Sequence, residues 1–412
     1  MRLLVITVAY PPEIRSASHL MHEFVEELKK RGHEITVITT FPQDDLTKKG
    51  SNKNYKTLSS EEGVEVIRVK TLPLYKINYL IRGVIQLMLP LIFYQAARKF
   101  ISKKPDAIIV YSPPLTLGLV AVWLSKYYSA KTILNIHDIF PQNAIDLGIL
   151  KNKILIKFFE YIEKWLYKKV DLITVHSPGN KQFLIENKQL LPEQIKVVHN
   201  WVDYDFFSKA VRGYEFRKKY NVDSKLVILF AGILGPAQGL DVIIEIAEKI
   251  ENKSMAHFLF VGDGTEKKKL EDIAANFKLS NVSFHPFVSK EEYASLLKDV
   301  DVGLVSLNAD NKTPVVPGKL LGYMASELPV LAVLNKESDC HKIIRQSECG
   351  FSFKAQNQEE IINAILKLEK DEGLRKNMGK KGAEFVRENF SQEGAVDKYE
   401  EIFEIIRPAP AG

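Results

Sequence analysis

Cysteine is scarce in this 412-residue chain, and lysine and arginine exceed the acids by only six charges. Cys340 and Cys349 lack the spacing of metal ligands, which favours core or incidental thiols over a disulfide. The basic excess forms none of the Lys/Arg clusters with aromatic platforms that bind nucleic acid. Strand-like residues directly after Met1 leave no room for a signal peptide. These absences predict a cytoplasmic protein without a nucleic-acid partner.

Uninterrupted apolar runs of membrane-spanning length are also missing. The stretch Ile77–Ala97 comes near that length, but Arg82, Gln86, Pro90 and Gln95 interrupt it. We therefore expect a long helix that packs on a sheet and touches lipid along part of its surface.

A second stretch, Lys151–Val170, mixes six lysines with large apolar side chains. This composition is typical of a basic amphipathic helix at a membrane interface. An ordinary surface helix with a solvated basic face explains the same pattern.

Short β-type runs alternate with helical patterns along most of the chain. In the first half these runs are Leu3–Ala9, Ile35–Thr40, Val64–Val69, Ala107–Tyr111, Thr132–Ile136, Leu172–Val175 and Ile195–Val198. In the second half they begin at Leu226 and continue with Phe258–Val261, Val282–Phe284, Val302–Val305, Val330–Val333 and Phe351–Phe353. Such alternation predicts parallel sheets with helices on both faces, and hence an α/β protein of two Rossmann-like domains.

The stretch Leu226–Ile250 joins a strand pattern to a helix pattern through a glycine-rich turn. Gly232, Gly235 and Gly239 allow a sharp bend and a close approach of the backbone to a ligand. The helix that follows directs free N–H groups at whatever lies over the turn, which suits a phosphate. An ordinary tight connection in a parallel sheet remains the alternative reading.

Lys319, in the segment VPGKLLGYM, is our candidate for the cation at a phosphate. It stands at the start of a predicted helix, where its charge and the helix N-terminus would act on the same anion. A solvent-facing lysine is the alternative. No Asp-x-Asp pair is placed to hold a metal at a diphosphate, so we expect no essential divalent ion and no other cofactor.

Seven segments, in this order and spacing, carry a resemblance to a known family. They are YPPEIRSASHLMHEF near the start, YSPPLTLGL at Tyr111–Leu119, HDIFPQNAIDLG at His137–Gly148, HNWVD at His199–Asp203, FAGILGPAQGLD at Phe230–Asp241, FVGDGTEKKKLE at Phe260–Glu271 and VPGKLLGYMASELPVLA at Val316–Ala332. Together they resemble the GT-B glycosyltransferases of family 4, and within them a WbuB-like branch that includes L-fucosamine transferases.

The resemblance implies two Rossmann-like domains facing across a cleft. Residues 1–200 would form the acceptor domain, residues 201–390 the nucleotide-sugar donor domain, and a helix within residues 391–412 would cross back to the first. The implied activity is retaining transfer of an amino or deoxy sugar, such as an N-acetylhexosamine, from a UDP-sugar to a polyprenyl-diphosphate-linked saccharide. The enzyme would work in bacterial O-antigen or capsule synthesis, attached peripherally to the anionic inner face of the cell membrane.

The resemblance also assigns roles to particular residues. His137 and Asp138 would lie at the reacting centre together with Lys319. The donor and its nucleotide would contact Gly232, Gly235, Gln238, Gly239, Gly262, Asp263, Phe287, Val288, Pro317, Gly318 and Leu320, with Phe287 and Val288 beside the base. Glu13, Arg15, Ser16 and Ser18 follow the first strand and would face the acceptor or the phosphate.

The sequence departs from the family pattern at the glycine turn, where Ile233 and Gln238 replace a basic pair that often flanks it, and at two further positions. Many members carry a Glu-x7-Glu pair whose second glutamate holds the ribose hydroxyls, and Pro314 and Gly322 occupy those positions here. This departure keeps a catalytically silent binding subunit as an alternative. A UDP-N-acetylhexosamine epimerase, which shares the fold, is another, although the acidic and basic groups that it would need are not evident.

Overall fold

The chain forms two compact units in a computed structural model. The structure describes residues 1–13, 16–42, 55–72, 79–211, 215–223 and 225–407, without the side chains of 79–82 and 215. The first unit comprises Met1–Ile145, Leu150–Asn200 and Gln392–Gly412, and the second comprises Asp146–Ile149 and Trp201–Ser391.

Each unit contains one β-sheet. In chain order the strands are β1 (Arg2–Ile6), β2 (Glu34–Thr40), β3 (Leu58–Glu61), β4 (Val64–Val69), β5 (Ala107–Ser112), β6 (Lys131–Ile136), β7 (Leu172–Val175), β8 (Ile195–Val197), β9 (Leu226–Ile233), β10 (Ala256–Asp263), β11 (Val282–His285), β12 (Val302–Ser306), β13 (Val330–Leu334) and β14 (Gly350–Lys354). The first sheet has the order β3-β4-β2-β1-β5-β6-β7-β8, and the second has the order β11-β10-β9-β12-β13-β14.

Helices connect these strands. In chain order they are α1 (Ser16–Lys30), α2 (Tyr79–Phe100), α3 (Gly118–Tyr128), α4 (Gln142–Asp146), α5 (Lys153–Lys169), α6 (Pro178–Lys188), α7 (Tyr204–Ser208), α8 (Glu215–Lys219), α9 (Asp241–Ile250), α10 (Lys267–Asn276), α11 (Lys290–Asp299), α12 (Gly318–Ala325), α13 (Cys340–Ser347), α14 (Gln358–Lys370), α15 (Glu372–Asn389) and α16 (Gln392–Ile406).

The pairing is parallel throughout the described strands except at one edge. Strand β3 pairs antiparallel with β4, where Glu61 lies opposite Val64. Strand β3 was not predicted from the sequence, because it has only four residues, LSSE, and they are mostly polar. A charged, short edge strand of this kind also protects the sheet edge from pairing with another chain.

The last helix, α16, belongs to the first unit and docks on it. Its apolar stripe Val396, Tyr399, Ile402, Phe403 and Ile406 is buried. Polar contacts reinforce the docking, since the guanidinium of Arg31 donates to Asp397 at 2.6 Å and the side chain of Gln392 donates to the carbonyl of Glu23 at 2.6 Å. Distant parts of the sequence therefore share one core.

Two helices of the first unit expose apolar side chains to solvent. On α2, Val84, Leu87, Met88 and Leu91 are exposed at helical spacing, whereas the opposite face packs on the sheet. On α5, Ile154, Phe158 and Tyr161 are exposed in the same way. No helix among the described residues is both long enough and apolar enough to cross a membrane.

The strand order of the second sheet reverses between β9 and β12. In open parallel sheets, a ligand-binding crevice forms at such a reversal, beyond the carboxyl ends of the strands. The loops that follow β9, β10 and β12 all lie at this edge. The segment from Asn200 to β9 carries the two short helices α7 and α8.

Candidate functional site

The glycine turn after β9 is the centre of the candidate site in the second unit. Gly232 (φ 140°) and Gly239 (φ 55°) adopt backbone conformations that other residues rarely take. A Cβ on Gly239 would also lie 2.9 Å from the Cα of Asn308. Between them Gly235 precedes a single 3-10 turn, Pro236–Gln238, and α9 begins two residues after Gly239. The turn therefore requires glycine for both conformation and space.

A second glycine loop, after β10, packs directly on the first. A Cβ on Gly262 would lie 1.8 Å from the carbonyl oxygen of Gly232, so only glycine fits there. The backbone N–H of Leu234 donates to the carbonyl of Asp263 at 2.9 Å. The carboxylate of Asp263 accepts from the N–H of Gly264 at 2.9 Å, which assigns it a role in the loop's own geometry.

Two residues that the sequence analysis missed fix the glycine turn from the β12 side. The hydroxyl of Ser306 donates to the carbonyl of Gln238 at 2.7 Å. The side-chain amide of Asn308 donates to the carbonyl of Pro236 at 2.9 Å, and its backbone N–H donates to Ala237 at 2.9 Å. Their only sequence signal is their place at the carboxyl end of a buried strand.

Lys319 lies against the glycine turn. Its Nζ is 3.3 Å from Oε1 of Gln238 and 4.4 Å from the centroid of the Phe230 ring. A Cβ on Gly232 would lie 3.5 Å from Cε of Lys319, an ordinary contact distance, so the lysine side chain packs against the glycine. Burial lowers the pKa of the Lys319 ammonium to about 8. The structure thus brings together Gly232, Gln238 and Lys319 at one edge of the sheet.

The residues around Lys319 divide into surface and core. Pro317 precedes α12 with an extended backbone, and Gly318 is exposed as the first residue of the helix. Leu320 is fully buried, and its N–H donates to the carbonyl of Pro317 at 3.0 Å. Leu320 therefore anchors the helix in the core and offers neither its side chain nor its N–H to a ligand.

Phe287 and Val288 follow β11, in the loop before α11. Phe287 is exposed over more than half of its surface. Val288 packs against the core that lies under α11 and α12. An exposed aromatic ring in such a loop offers a flat face on which a nucleobase can stack.

The first unit contributes an aromatic stack at the carboxyl edge of its own sheet. The ring of His137, just after β6, lies 4.3 Å from that of Tyr111 and 5.5 Å from that of His176. Burial lowers the pKa of His137 well below its ordinary value, and the nearby His176 lowers it further. His137 is therefore a neutral imidazole at neutral pH. Tyr111 and His176 were not predicted as site residues, although each stands at the end of a neighbouring strand.

Asp138 differs from its neighbour. Desolvation by nearby protein atoms raises the pKa of its carboxyl, but the side chain is exposed to water. Because water stabilises the charge of an exposed carboxylate, we expect Asp138 to be ionised at neutral pH.

The four residues proposed for the acceptor side have different environments. Glu13 and Ser18 are buried, whereas Ser16 is exposed at the start of α1. Arg15 lies outside the described residues. Ser18 belongs to the buried face of α1 together with Phe24, which places it in the packing of the helix.

The two further departures from the family pattern lie in ordered, packed surroundings. Pro314 is buried, and the backbone on either side of it is fixed: the carbonyl of Thr313 accepts from the side-chain amide of Asn335 at 3.3 Å, and that of Val315 accepts from the hydroxyl of Ser338 at 2.7 Å. A Cβ on Gly322 would lie 3.5 Å from the hydroxyl of Tyr293, an ordinary contact distance.

Within the ranges that the structure describes, no group of three or more His, Cys, Asp and Glu side chains is arranged to hold a metal ion. The sequence-based expectation that no divalent ion is essential stays a prediction.

Two family models match the chain, one in each half. Residues 17–206 match "Glycosyltransferase Family 4", and residues 214–385 match "Glycosyl transferases group 1". The putative colanic acid biosynthesis glycosyl transferase WcaI of Escherichia coli K12 is 28% identical over 340 residues, which are 79% of this chain and 81% of that protein.

Solved glycosyltransferase structures share the fold over nearly the whole length. A sucrose-phosphate synthase from Thermosynechococcus elongatus superposes with a TM-score of 0.78 at 15% identity, covering 98% of this chain and 99% of its own. Anabaena Alr3699/HepE, solved in complex with UDP, superposes with a TM-score of 0.72 at 16% identity, covering 98% of this chain and 100% of its own. The chain thus has the two-domain GT-B fold, with a Glycosyltransferase Family 4 domain followed by a Glycosyl transferases group 1 domain.

Proposed function

We propose that this protein transfers an amino or deoxy hexose from a UDP-sugar to a polyprenyl-diphosphate-linked saccharide during bacterial surface polysaccharide synthesis. The observation that carries the proposal is the position of Lys319, whose ammonium group lies beside the glycine turn at the strand-order reversal of the group 1 domain.

The diphosphate of the donor would bind over the glycine turn. The first turns of α9 and α12 each leave backbone N–H groups without intrahelical partners, and the positive ends of both helices favour an anion. Lys319 adds a full charge that stabilises the oxygen on which negative charge develops as the sugar leaves. The exposed ring of Phe287 would stack on the base.

Support for UDP as the nucleotide comes from a protein of the same fold. The structure of Anabaena Alr3699/HepE contains UDP, and a further structure of that protein contains UDP-glucose. For the acceptor, support comes from the similarity to WcaI, which is described as acting in colanic acid biosynthesis. The acceptor that we propose for this chain is a saccharide on a polyprenyl diphosphate carrier.

The proposed chemistry is retaining transfer on one face of the sugar. The bond from the anomeric carbon to the phosphate oxygen breaks, and the acceptor hydroxyl oxygen bonds to the same face of that carbon. The departing phosphate oxygen takes the hydroxyl proton, so no enzymic base is needed. His137 would contact the donor sugar as a neutral hydrogen-bonding group, and Lys319 would hold the leaving phosphate.

We propose further that the enzyme attaches peripherally to the cytoplasmic face of the membrane through its first domain. On α5 the exposed Ile154, Phe158 and Tyr161 are flanked by the exposed lysines Lys157 and Lys164. Apolar side chains between cations suit an anionic bilayer surface, where the acceptor resides. The apolar stripe of α2 adds a second contact. Cys340 and Cys349 are free buried thiols, which fits a reducing compartment.

A nucleotide panel in a thermal-shift assay tests the donor assignment. A ligand present at about 100 times its dissociation constant stabilises the folded state by about 2.7 kcal/mol. We expect UDP to raise the unfolding midpoint more than GDP, ADP or UMP, and Lys319→Ala to remove most of the rise. A larger shift with GDP would reassign the donor, and no shift with any nucleoside diphosphate would remove the proposed site.

A catalytically silent binding subunit is the second candidate, and Gly322 in place of a glutamate is the feature that favours it. Such a subunit would bind UDP and release none from a UDP-sugar.

A further inference from the structure

The hydroxyl of Tyr323 forms two hydrogen bonds to the backbone of β9. It donates to the carbonyl of Leu229 at 3.2 Å and accepts from the N–H of Ala231 at 3.2 Å. Tyr323 belongs to α12 and is completely buried. A helix side chain thus satisfies one acceptor and one donor of a central strand.

These two bonds replace pairing that the sheet lacks at this point. Strand β9 pairs with β10 along eight residues, up to Ile233. Its other neighbour, β12, pairs with it only at Val302 and Gly303. Beyond these residues the two strands diverge, and buried backbone groups without partners would be costly. The Tyr323 hydroxyl fills the opening at the strand-order reversal.

Gly303 provides the space for the ring. A Cβ at this position would lie 2.4 Å from ring atoms of Tyr323, which is far inside contact distance. The bare backbone of β12 therefore allows the tyrosine to reach β9 between the two strands.

Tyr323 and Lys319 act on the same short segment of β9. They are four residues apart on α12 and therefore lie on one face of the helix. Tyr323 bonds the backbone on both sides of Phe230, while the ammonium of Lys319 lies over the Phe230 ring and beside Gly232. These two hydrogen bonds therefore join α12 to β9 directly beside the glycine turn, in addition to the core packing of Leu320.

We propose that Tyr323 is a positioning residue for phosphate binding, which holds α12 in register with β9 so that Lys319 meets the diphosphate. This inference rests on the proposed role of Lys319 in binding UDP. It assigns Tyr323 no contact with substrate.

A double-mutant cycle on UDP affinity tests the inference. Tyr323→Phe keeps the ring and removes only the hydroxyl, and we expect it to weaken UDP binding about tenfold in titration calorimetry, because α12 is no longer fixed against β9. In the Lys319→Ala background the same change should cost less than about twofold, since its effect passes through the lysine. Tyr399→Phe is the matched control: it removes a buried hydroxyl that meets Thr174 in the first unit, and UDP affinity should stay unchanged.

The outcomes separate the two proposals. Unchanged UDP affinity in Lys319→Ala would overturn the phosphate site itself. If Lys319→Ala weakens binding while Tyr323→Phe does not, or if the two losses multiply, the positioning role is wrong.

Hydrogen exchange gives an independent test should Tyr323→Phe fail to fold. In the wild-type protein UDP should slow exchange of the Ala231 amide, because binding at Lys319 tightens the whole of α12 on β9. If UDP slows amide exchange within Gly235–Gly239 but leaves the exchange of the Ala231 amide unchanged, the inference is wrong.

Discussion

The charge of Lys319 has no carboxylate partner in the salt bridges that join the described residues. Its neighbours are an amide oxygen of Gln238 and the face of Phe230, both of which are weaker partners than an anion. Burial without such a partner explains why its pKa falls to about 8. A diphosphate would supply the missing negative charge and raise the pKa again.

UDP affinity should therefore depend on pH. Lys319 is protonated below a pKa of about 8 and loses its charge above it, so the dissociation constant for UDP should rise about tenfold between about pH 7 and pH 9. The phosphate does not titrate in this range, because its second pKa is about 6. Titration calorimetry at several pH values measures the effect.

Lys319→Arg is the control for this pH dependence. Arginine remains charged throughout the range, so whatever affinity the variant retains should not change with pH. If the dissociation constant for UDP rises equally with pH in the wild type and in Lys319→Arg, the titrating group is not Lys319.

Lys319→Ala should weaken UDP binding at neutral pH by about 1.5–3 kcal/mol in titration calorimetry, because the charge-assisted contact to the phosphate is lost.

His137 should affect turnover more than donor affinity. Its neutral ring is held between Tyr111 and His176, and a hydrogen bond to the sugar can strengthen as the transition state forms. We expect His137→Ala to lower kcat at least about tenfold while UDP affinity changes less than about twofold. Steady-state kinetics and calorimetry give the two numbers. His137→Asn, which keeps a hydrogen-bonding group, should recover part of the loss, and equal losses in kcat and UDP affinity would indicate a structural role.

Only part of this site could be predicted from single residues. Lys319 and the glycines have local signals, since a helix start and a turn are visible in the sequence. The contacts of Tyr323, Ser306 and Asn308 have no local signal, because their partners lie 68–94 residues away in the chain and are brought close only by the sheet. Leu320 was predicted to contact the donor because it lies next to Lys319 in the motif. Its side chain is instead buried in the core.

At the scale of elements, α16 stabilises the first domain although it ends the chain. The side chain of Phe403 is buried and its ring lies 5.5 Å from that of His33 and 6.1 Å from that of Tyr399. Phe403→Ala should lower the free energy of unfolding by about 3–5 kcal/mol in a denaturant titration. Ile405→Ala, on the exposed side of the same helix, should change it by less than about 0.5 kcal/mol. If both variants change the free energy of unfolding by similarly small amounts, α16 does not dock on the first domain as described.

The helix α5 carries the membrane prediction. Each lysine near an anionic surface contributes about 1 kcal/mol, screened by salt, and the apolar side chains add a term that salt does not remove. Cosedimentation with anionic liposomes should therefore weaken, without vanishing, as the salt concentration rises. Changing Lys153, Lys157 and Lys164 together to Glu should weaken it further while UDP affinity is kept. Absence of cosedimentation at low salt would make a soluble acceptor the better proposal.

The apolar periodicity of the sequence predicted most elements, because burial on a sheet imposes the same pattern wherever a strand or helix packs. The β-type runs that were identified all appear as strands. The polar edge strand β3 was not predicted, because it has no apolar pattern and forms a strand only by pairing with β4. The short helices α7 and α8 lie in a segment of mixed composition that local patterns do not resolve.

At the scale of the whole molecule, two parallel sheets place polar loops at their carboxyl edges, one in each domain. The second domain offers a glycine turn with a cation, and the first offers a neutral histidine between aromatic rings. These groups match the needs of a nucleotide-sugar transferase, in which one part holds a diphosphate and another recognises the sugar. The order of the motifs suggested this organisation, whereas the identity of the sugar depends on a few loop contacts that carry no local pattern.

Release of UDP from candidate UDP-sugars is the most direct test of the central claim. The protein would be incubated with one UDP-activated amino or deoxy hexose at a time, with and without a polyprenyl-diphosphate-linked saccharide, and free UDP would be recorded, with Lys319→Ala as the control. The account predicts slow UDP release from one of these donors alone, faster release with the lipid-linked acceptor, and little from the variant. If the protein binds UDP but releases none from any donor under either condition, the transferase assignment is wrong and the silent binding subunit replaces it.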